Sequence, residues 1–248
     1  MTTDAGRRIA TAAGAMLVDE SRLEREPDAR AEALFEPGYW QSHGQIVPSA
    51  RGRGSTWLVS TKIDQWVLRH YRRGGVLARR LLADRYVWAG EGRVRAFAEW
   101  RLLAQLYARG LPVPQPIGAR YQRAGILYRC DLIMRRIRDA EPLSAVLAGA
   151  ALEARHWGAI GDTIARFHAA GVDHADLNAH NILLDAQGTV SVIDFDRGSI
   201  RAPGAWTRRN LRRLHRSLRK ISADLPAGRF SETAWNWLVA GYADAQPL

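Results

Sequence analysis

His174-Ala-Asp-Leu-Asn-Ala-His-Asn181 runs directly into Ile182-Leu-Leu-Asp185, and after Ala186-Gln-Gly188 the chain continues Thr189-Val-Ser-Val-Ile-Asp-Phe-Asp196. A histidine, an acid and an asparagine therefore follow one another as His-x-Asp-x4-Asn, then two short apolar runs, then Asp-Phe-Asp. Asp185-Ala-Gln-Gly188 has the chemistry of a tight turn. The runs on either side of it are expected to pair as a hairpin, and a hairpin brings its two ends together, here Asn181 and Asp194. An amide carbonyl and a carboxylate are hard oxygen donors of the kind a magnesium ion takes. Asp176 is a carboxylate suited to orienting a hydroxyl and accepting its proton. His174 is read as structural, holding the loop by hydrogen bonds.

The chain before this stretch changes character once. Up to about residue 137 it reads as strand-rich. Thr56-Trp-Leu-Val59 and Gln65-Trp-Val-Leu-Arg-His-Tyr71 are aromatic and β-branched runs around a polar turn. Ile117 to Ala119 and Ile126 to Ile137 suggest further strands. Residues 93–109 form the one strong helix of this half, with Phe97, Leu102, Leu103 and Leu106 on one face and Gly110 closing it. Leu77 to Trp88 is expected to be helical. The opening Arg7-Arg8 and Ile9 to Val18 is too short and Ala-rich for an export signal and is followed at once by Asp19-Glu20, so it is read as strand and loop. From residue 138 the chain turns helical: Trp157, Ile160, Ile164 and Phe167 space a helix over 151–170, and 205–242 is mostly helix. The order predicts an α+β fold in two lobes, 1–136 and 137–248, with a cleft between them.

Composition narrows the setting. At 248 residues with 47% hydrophobic side chains, the chain can bury a sizeable core and is neither fibrous nor disordered. Cys130 is its only cysteine, which excludes an internal disulfide and a Cys-based metal site and fits a reducing compartment. It is read as a small buried hydrophobe in a strand. No apolar run reaches the ~20 residues of a spanning helix, so any membrane contact is expected to be peripheral. The net charge is +11. Lys62 and Lys220 are the only lysines. A GC-rich genome explains Arg over Lys but not the positive excess, which points to an anionic partner.

The 174–196 stretch resembles the catalytic and metal-binding loops of protein-kinase-like phosphotransferases. That resemblance implies a two-lobed protein-kinase-like fold, ATP and Mg²⁺, with Asp176 as catalytic base and Asn181 and Asp194 as metal ligands. Upstream, Gly52-Arg-Gly-Ser-Thr56 precedes a strand and is placed to cover ATP phosphates through Gly52, Gly54, Ser55 and Thr56. Arg69 stands where such kinases carry a lysine, and it is preferred to Lys62, which sits in the turn. Its helix partner is expected to be Glu99, for which a plain surface charge is the competing reading. Ile133 to Ile137 would face adenine. No long activation segment follows Asp194, which argues for a small acceptor rather than a peptide. Asn178 also departs from the lysine usual in protein-serine kinases.

Trp206-Thr-Arg-Arg-Asn-Leu-Arg-Arg-Leu-His-Arg-Ser-Leu-Arg-Lys-Ile221 carries Leu211, Leu214, Leu218 and Ile221 at helical spacing, with an all-basic surround. A solvated face normally mixes signs. This one does not, so Arg208, Arg209, Arg212, Arg213 and Arg216 are read as anion-binding. Together with Gly52-Arg-Gly-Ser-Thr-Trp57, Leu68-Arg-His-Tyr-Arg-Arg-Gly-Gly75 and Phe97-Ala-Glu-Trp-Arg-Leu-Leu103, this helix resembles the lipopolysaccharide core kinase family. The likeness is to its kinases of 3-deoxy-D-manno-octulosonic acid (Kdo) and runs over about residues 45 to 225. The resemblance implies phosphorylation of the 4-hydroxyl of Kdo on Kdo-lipid IVA at the cytoplasmic face of the inner membrane, with the protein peripheral on an anionic surface. Nucleic acid is not expected as a partner, and no obligate protein partner is evident from the sequence. A heptose kinase and an aminoglycoside phosphotransferase stay open beside it, although a polycationic aminoglycoside suits an acidic site. A binding module on an inactive scaffold is opposed by the presence of Asp176, Asn181 and Asp194. Nucleic acid is further opposed by the lack of aromatics, beyond Trp206, within the basic run.

Overall fold

The computed structural model describes residues 6–19, 21, 31–47, 55–72 and 84–245. The chain forms two compact units, Met1–Gln105 with Pro114–Arg136, and Leu106–Val113 with Ile137–Leu248.

The first unit is built on a sheet. In chain order it contains β1 (Arg7–Thr11), β2 (Gly14–Val18), a short helix α1 (Pro37–Ser42), β3 (Ile46–Val47), β4 (Thr56–Ser60), β5 (Gln65–His70) and β6 (Tyr86–Val87). Helix α2 (Arg95–Ala108, this unit through Gln105), β7 (Pro116–Ala124) and β8 (Leu127–Arg135) complete it. The strands run in the order β1-β2-β7-β8-β5-β4-β3, with β6 also on β8. Period-two patterning decides which side chains enter the core. Trp66 and Leu68 of β5 are buried with Met16, Val18, Ile117 and Ile133, and Trp40 of α1 packs edge-on against Trp66. The turn between β4 and β5 is held by Thr61, whose Oγ1 accepts the Asp64 N–H at 3.0 Å. Across the sheet, Asp131 of β8 accepts from Arg120 of β7 at 2.8 and 2.9 Å and pairs with His70 of β5 at 2.6 Å. One buried carboxylate thus ties three neighbouring strands.

Two expectations change here. The helix expected over Leu77 to Trp88 lies outside the described residues through residue 83. Beyond that, Tyr86–Val87 is a strand, because an aromatic and a β-branched residue pair with Tyr128 and Leu127. The strand expected over Ile126 to Ile137 is shorter: β8 begins at Leu127, and its ladder with β5 ends at Arg135 opposite Trp66. Cys130 is fully buried in β8, and burial pushes its thiol up to about 12.

The second unit contains β9 (Ala140–Pro142), α3 (Leu143–Gly149), α4 (Ala154–Ala169), β10 (Val172–Asp173), β11 (Ile182–Asp185), β12 (Val190–Val192), β13 (Ser199–Ile200), α5 (Trp206–Ser222) and α6 (Glu232–Asp244). β11 pairs with both β12 and β9, and β10 pairs with β13. Helix α4 opens with a capping box between Glu153 and His156. It buries Trp157, Ile160, Ile164 and Phe167, the residues whose spacing announced it. Gly161 and Gly241 let α4 and α6 touch backbone to backbone: a Cβ on Gly161 would stand 2.0 Å from the Leu238 carbonyl oxygen. This is the α+β combination of a strand-rich and a helical unit expected from the sequence.

Candidate active site

In the first unit, Arg69 lies on β5 directly opposite Thr56 of β4. The neighbouring Ser55 carbonyl accepts the His70 N–H at 2.8 Å. Gly52 and Gly54 lie outside the described residues. Arg69 Nη1 donates to Glu99 Oε1 at 3.3 Å. Glu99 is buried on α2, not a surface charge, and its other oxygen accepts from the Tyr71 hydroxyl. The guanidinium of Arg69 also stands 4.9 Å over the Tyr71 ring, a cation–π contact. Burial, then the Glu99 charge, push the Tyr71 phenol well above its usual value, so it stays a neutral donor. Arg69 is therefore a fixed cation, held from two sides.

In the second unit the loop between β10 and β11 carries His174, Asp176 and Asn181. His174 is buried, and burial lowers its imidazole below the usual value, which keeps it neutral. Its Nδ1 accepts the Asp176 N–H at 3.2 Å, so Nε2 carries the proton and donates to the Ile193 carbonyl at 3.0 Å. The ring also packs on Phe195, centroids 4.8 Å apart. One side chain thus joins the loop to the segment before Asp194. The hairpin does bring its ends together: the Ile193 N–H donates to the Asn181 carbonyl at 2.9 Å. Asp185 shapes the turn, its Oδ1 accepting from Gln187 N and Thr189 N at 2.9 and 2.7 Å. Asn178 and Asn181 both donate their amide NH₂ to the Asp176 carbonyl, at 2.9 and 3.0 Å. Asn181 is therefore left with its carbonyl oxygen as the end available to a metal. Asp194 has φ +64, a left-handed conformation uncommon for a residue with a side chain and held here by its surroundings.

Helix α5 lies along this loop, one contact per turn. Asp173 accepts from Arg209 Nη2, Asn210 Nδ2 and Arg201 Nη1, each at 2.9 Å. Burial pushes the Asp173 carboxyl up, but these three donors outweigh it and hold the group below its usual value. Asn210 Oδ1 accepts the His174 N–H at 3.1 Å. One turn on, Arg213 Nε donates to Asp176 Oδ1 at 2.8 Å. One turn further, Ser217 Oγ accepts the Ala179 N–H at 3.2 Å. The basic run thus divides. Arg209 and Arg213 face the loop and its acids. Arg208, Arg212 and Arg216 are exposed, and no ion pair of theirs is found among the described residues.

Sequence reasoning missed Tyr71, Asp173, Asn210 and Ser217. Asn210 left a readable trace: it sits at four-residue spacing with Trp206, Leu214 and Leu218, a polar break in a buried stripe.

The donor set fits a magnesium ion that keeps most of its ligands from substrate and water. It comprises one amide oxygen and one carboxylate, and no cluster of three or more His, Cys, Asp or Glu suited to a metal exists among the described residues. No helix among the described residues is long and apolar enough to cross a membrane.

Comparison with known proteins agrees with this geometry. A model of the lipopolysaccharide kinase (Kdo/WaaP) family matches residues 38–242. The chain is 50% identical over 211 residues to a 3-deoxy-D-manno-octulosonic acid kinase of Xanthomonas euvesicatoria pv. vesicatoria (strain 85-10), covering 84% of this chain and 81% of the relative. It is 47% identical over 212 residues to the protein of the same name from Xylella fastidiosa (strain 9a5c), covering 85% and 82%. The matched region contains both the Arg69–Glu99 pair and the whole loop from His174 to Asp194, and the chain belongs to the lipopolysaccharide kinase (Kdo/WaaP) family.

Proposed function

We propose that the protein is an ATP-dependent sugar kinase of lipopolysaccharide core assembly that phosphorylates the 4-hydroxyl of Kdo on Kdo-lipid IVA. The observation that carries this reading is the hydrogen-bonded loop in which His174 joins Asp176 to the Ile193–Asp194 segment, in a chain half identical to a protein named 3-deoxy-D-manno-octulosonic acid kinase.

Asp176 is the base: the acceptor hydroxyl gives it a proton as its oxygen attacks the γ-phosphorus and the bond to ADP breaks. Asn181 and Asp194 hold magnesium, which when bound neutralises phosphate charge. Arg69, oriented by Glu99 and Tyr71, is the permanent cation for the ATP phosphates, and its bidentate fork does what the usual lysine does as a point charge. Gly52, Gly54, Ser55 and Thr56 supply backbone donors to the same phosphates. Arg208, Arg212 and Arg216 meet the anionic groups of the acceptor or of the membrane that presents it. On this reading the protein works peripherally at the cytoplasmic face of the bacterial inner membrane, where an anionic leaflet attracts exposed arginines at about 1 kcal/mol each.

The test is a labelled-ATP assay offering Kdo-lipid IVA, heptosylated core and an aminoglycoside side by side. Label on Kdo-lipid IVA alone is the expected result; label on either of the other two and not on Kdo sinks the assignment.

A further inference from the structure

We infer that Arg213 is a specificity-determining latch on the catalytic base, opened by the acceptor's own carboxylate. The inference rests on the kinase reading above, in which Asp176 takes the proton of the attacking hydroxyl.

Arg213 stands apart from the other contacts α5 makes with the loop. Asn210 is buried and satisfies a buried N–H and a carboxylate; Ser217 satisfies a backbone N–H; Arg209 meets Asp173, which is itself buried. These contacts splint the loop. Arg213 instead grips the carboxylate that the proposed chemistry uses as its base. Its Nε donates to Asp176 Oδ1 at 2.8 Å, and its Nη2 approaches the same oxygen. The lone pairs of that oxygen engaged by the guanidinium are not available to a hydroxyl. Both side chains are 47% exposed, so the pair is in reach of solvent and of an incoming anion.

An exposed ion pair of this kind is weak, because water screens both charges and two long side chains compete with it by their freedom. A second carboxylate can therefore displace it. The proposed acceptor carries one on the same sugar as its reactive hydroxyl, and guanidinium pairs with carboxylate in a planar fork. In the exchange, Arg213 leaves Asp176 Oδ1 for the acceptor carboxylate, and the freed oxygen accepts the acceptor hydroxyl. One movement both recognises the acid and unmasks the base. Water has no carboxylate to make the exchange, so without acceptor Oδ1 stays mostly engaged and ATP hydrolysis is held low.

The experiment measures acceptor-independent ATP hydrolysis by the purified full chain. Arg213→Gln is expected to raise it roughly fivefold, the factor an exposed ion pair can supply, and to raise the acceptor KM with the ATP KM unchanged. In the unaltered protein, 4-deoxy-Kdo, which carries the carboxylate but no transferable hydroxyl, is expected to stimulate hydrolysis; in Arg213→Gln it should not. Hydrolysis in Arg213→Gln at or below the starting level, or equal stimulation in both proteins, overturns the latch. If Arg213→Gln fails to fold, Arg213→Met, which keeps an unbranched apolar stem and loses the charge, is measured in its place with the same expectations. Failure of the underlying reading is separately visible: an Asp176→Asn protein that still transfers phosphate removes the base itself, whatever Arg213 does.

Discussion

Each unit holds one arginine–carboxylate pair among its candidate site residues, and the two pairs differ in their surroundings more than in their chemistry. Arg69 and Glu99 meet at 3.3 Å with Glu99 almost wholly buried, its side chain 1% exposed, and the Tyr71 hydroxyl donates to its other oxygen. Arg213 and Asp176 meet at similar range with both side chains half in water. Inside the protein, an uncompensated carboxylate is expensive, so the first pair is fixed. In water the same pair is worth little, so the second is exchangeable. A cation meant to stay aimed at phosphate belongs in the first setting. One meant to let go of a base belongs in the second.

The comparison breaks first at the base. Asp176→Asn is expected to lower transfer by about 10² to 10⁴-fold while thermal unfolding moves little, since only an exposed pair is lost; a large drop in melting temperature would make Asp176 structural. Glu99→Ala is the opposite case. It removes the buried carboxylate that Arg69 and the Tyr71 hydroxyl both bind and should destabilise the chain by roughly 3–5 kcal/mol, read as a fall in denaturation midpoint. If it costs no more than Arg213→Ala, expected at about 1 kcal/mol or less, the two pairs are not different in kind.

The histidines sharpen the contrast. His70 hydrogen-bonds Asp131, which outweighs its partial burial and raises its pKa above 6.5. Its folded form holds the proton more tightly than the unfolded chain, so its contribution is fully present below pH 6.5 and is lost as pH rises through the raised value. His168 of α4 is the reverse. Burial lowers it from 6.5 to about 4. Its neutral form is stable above pH 6.5, and stability falls as pH drops from there towards 4, where the folded form also takes a proton. That is a loss of roughly 3 kcal/mol, which His168→Phe should abolish in urea titrations across pH 4 to 7. Asn210→Ala is expected to cost about 1–3 kcal/mol by leaving the His174 N–H without its partner, with kcat falling more than either KM as the loop loses its splint. An unchanged kcat would show that α5 does not position the loop.

Much of this was legible from residue order alone. The hairpin was readable because turn chemistry at Asp185–Gly188 and two short apolar runs leave few alternatives, and the helices at 95–108 and 154–169 followed from apolar spacing. Arg69 and Glu99 could be paired in advance because the resemblance to protein-kinase-like phosphotransferases implies a strand cation matched with an acid on the following helix. The strand at Tyr86–Val87 could not be read, because two residues carry no periodicity and its partner on β8 is some forty positions away. Asp173 looked like any acid before a loop.

The sequence by itself determined the chemistry on offer: which carboxylates, which amide, which permanent cations, and that the chain between Asp194 and the basic helix is short. Only the tertiary structure decided how one helix divides its arginines, Arg209 and Arg213 turned to the loop's acids and Arg208, Arg212 and Arg216 turned to solvent. The physical reason is that charge is a property of a residue, whereas pairing depends on which face of a helix meets which carbonyls and carboxylates, and on how much water remains between them.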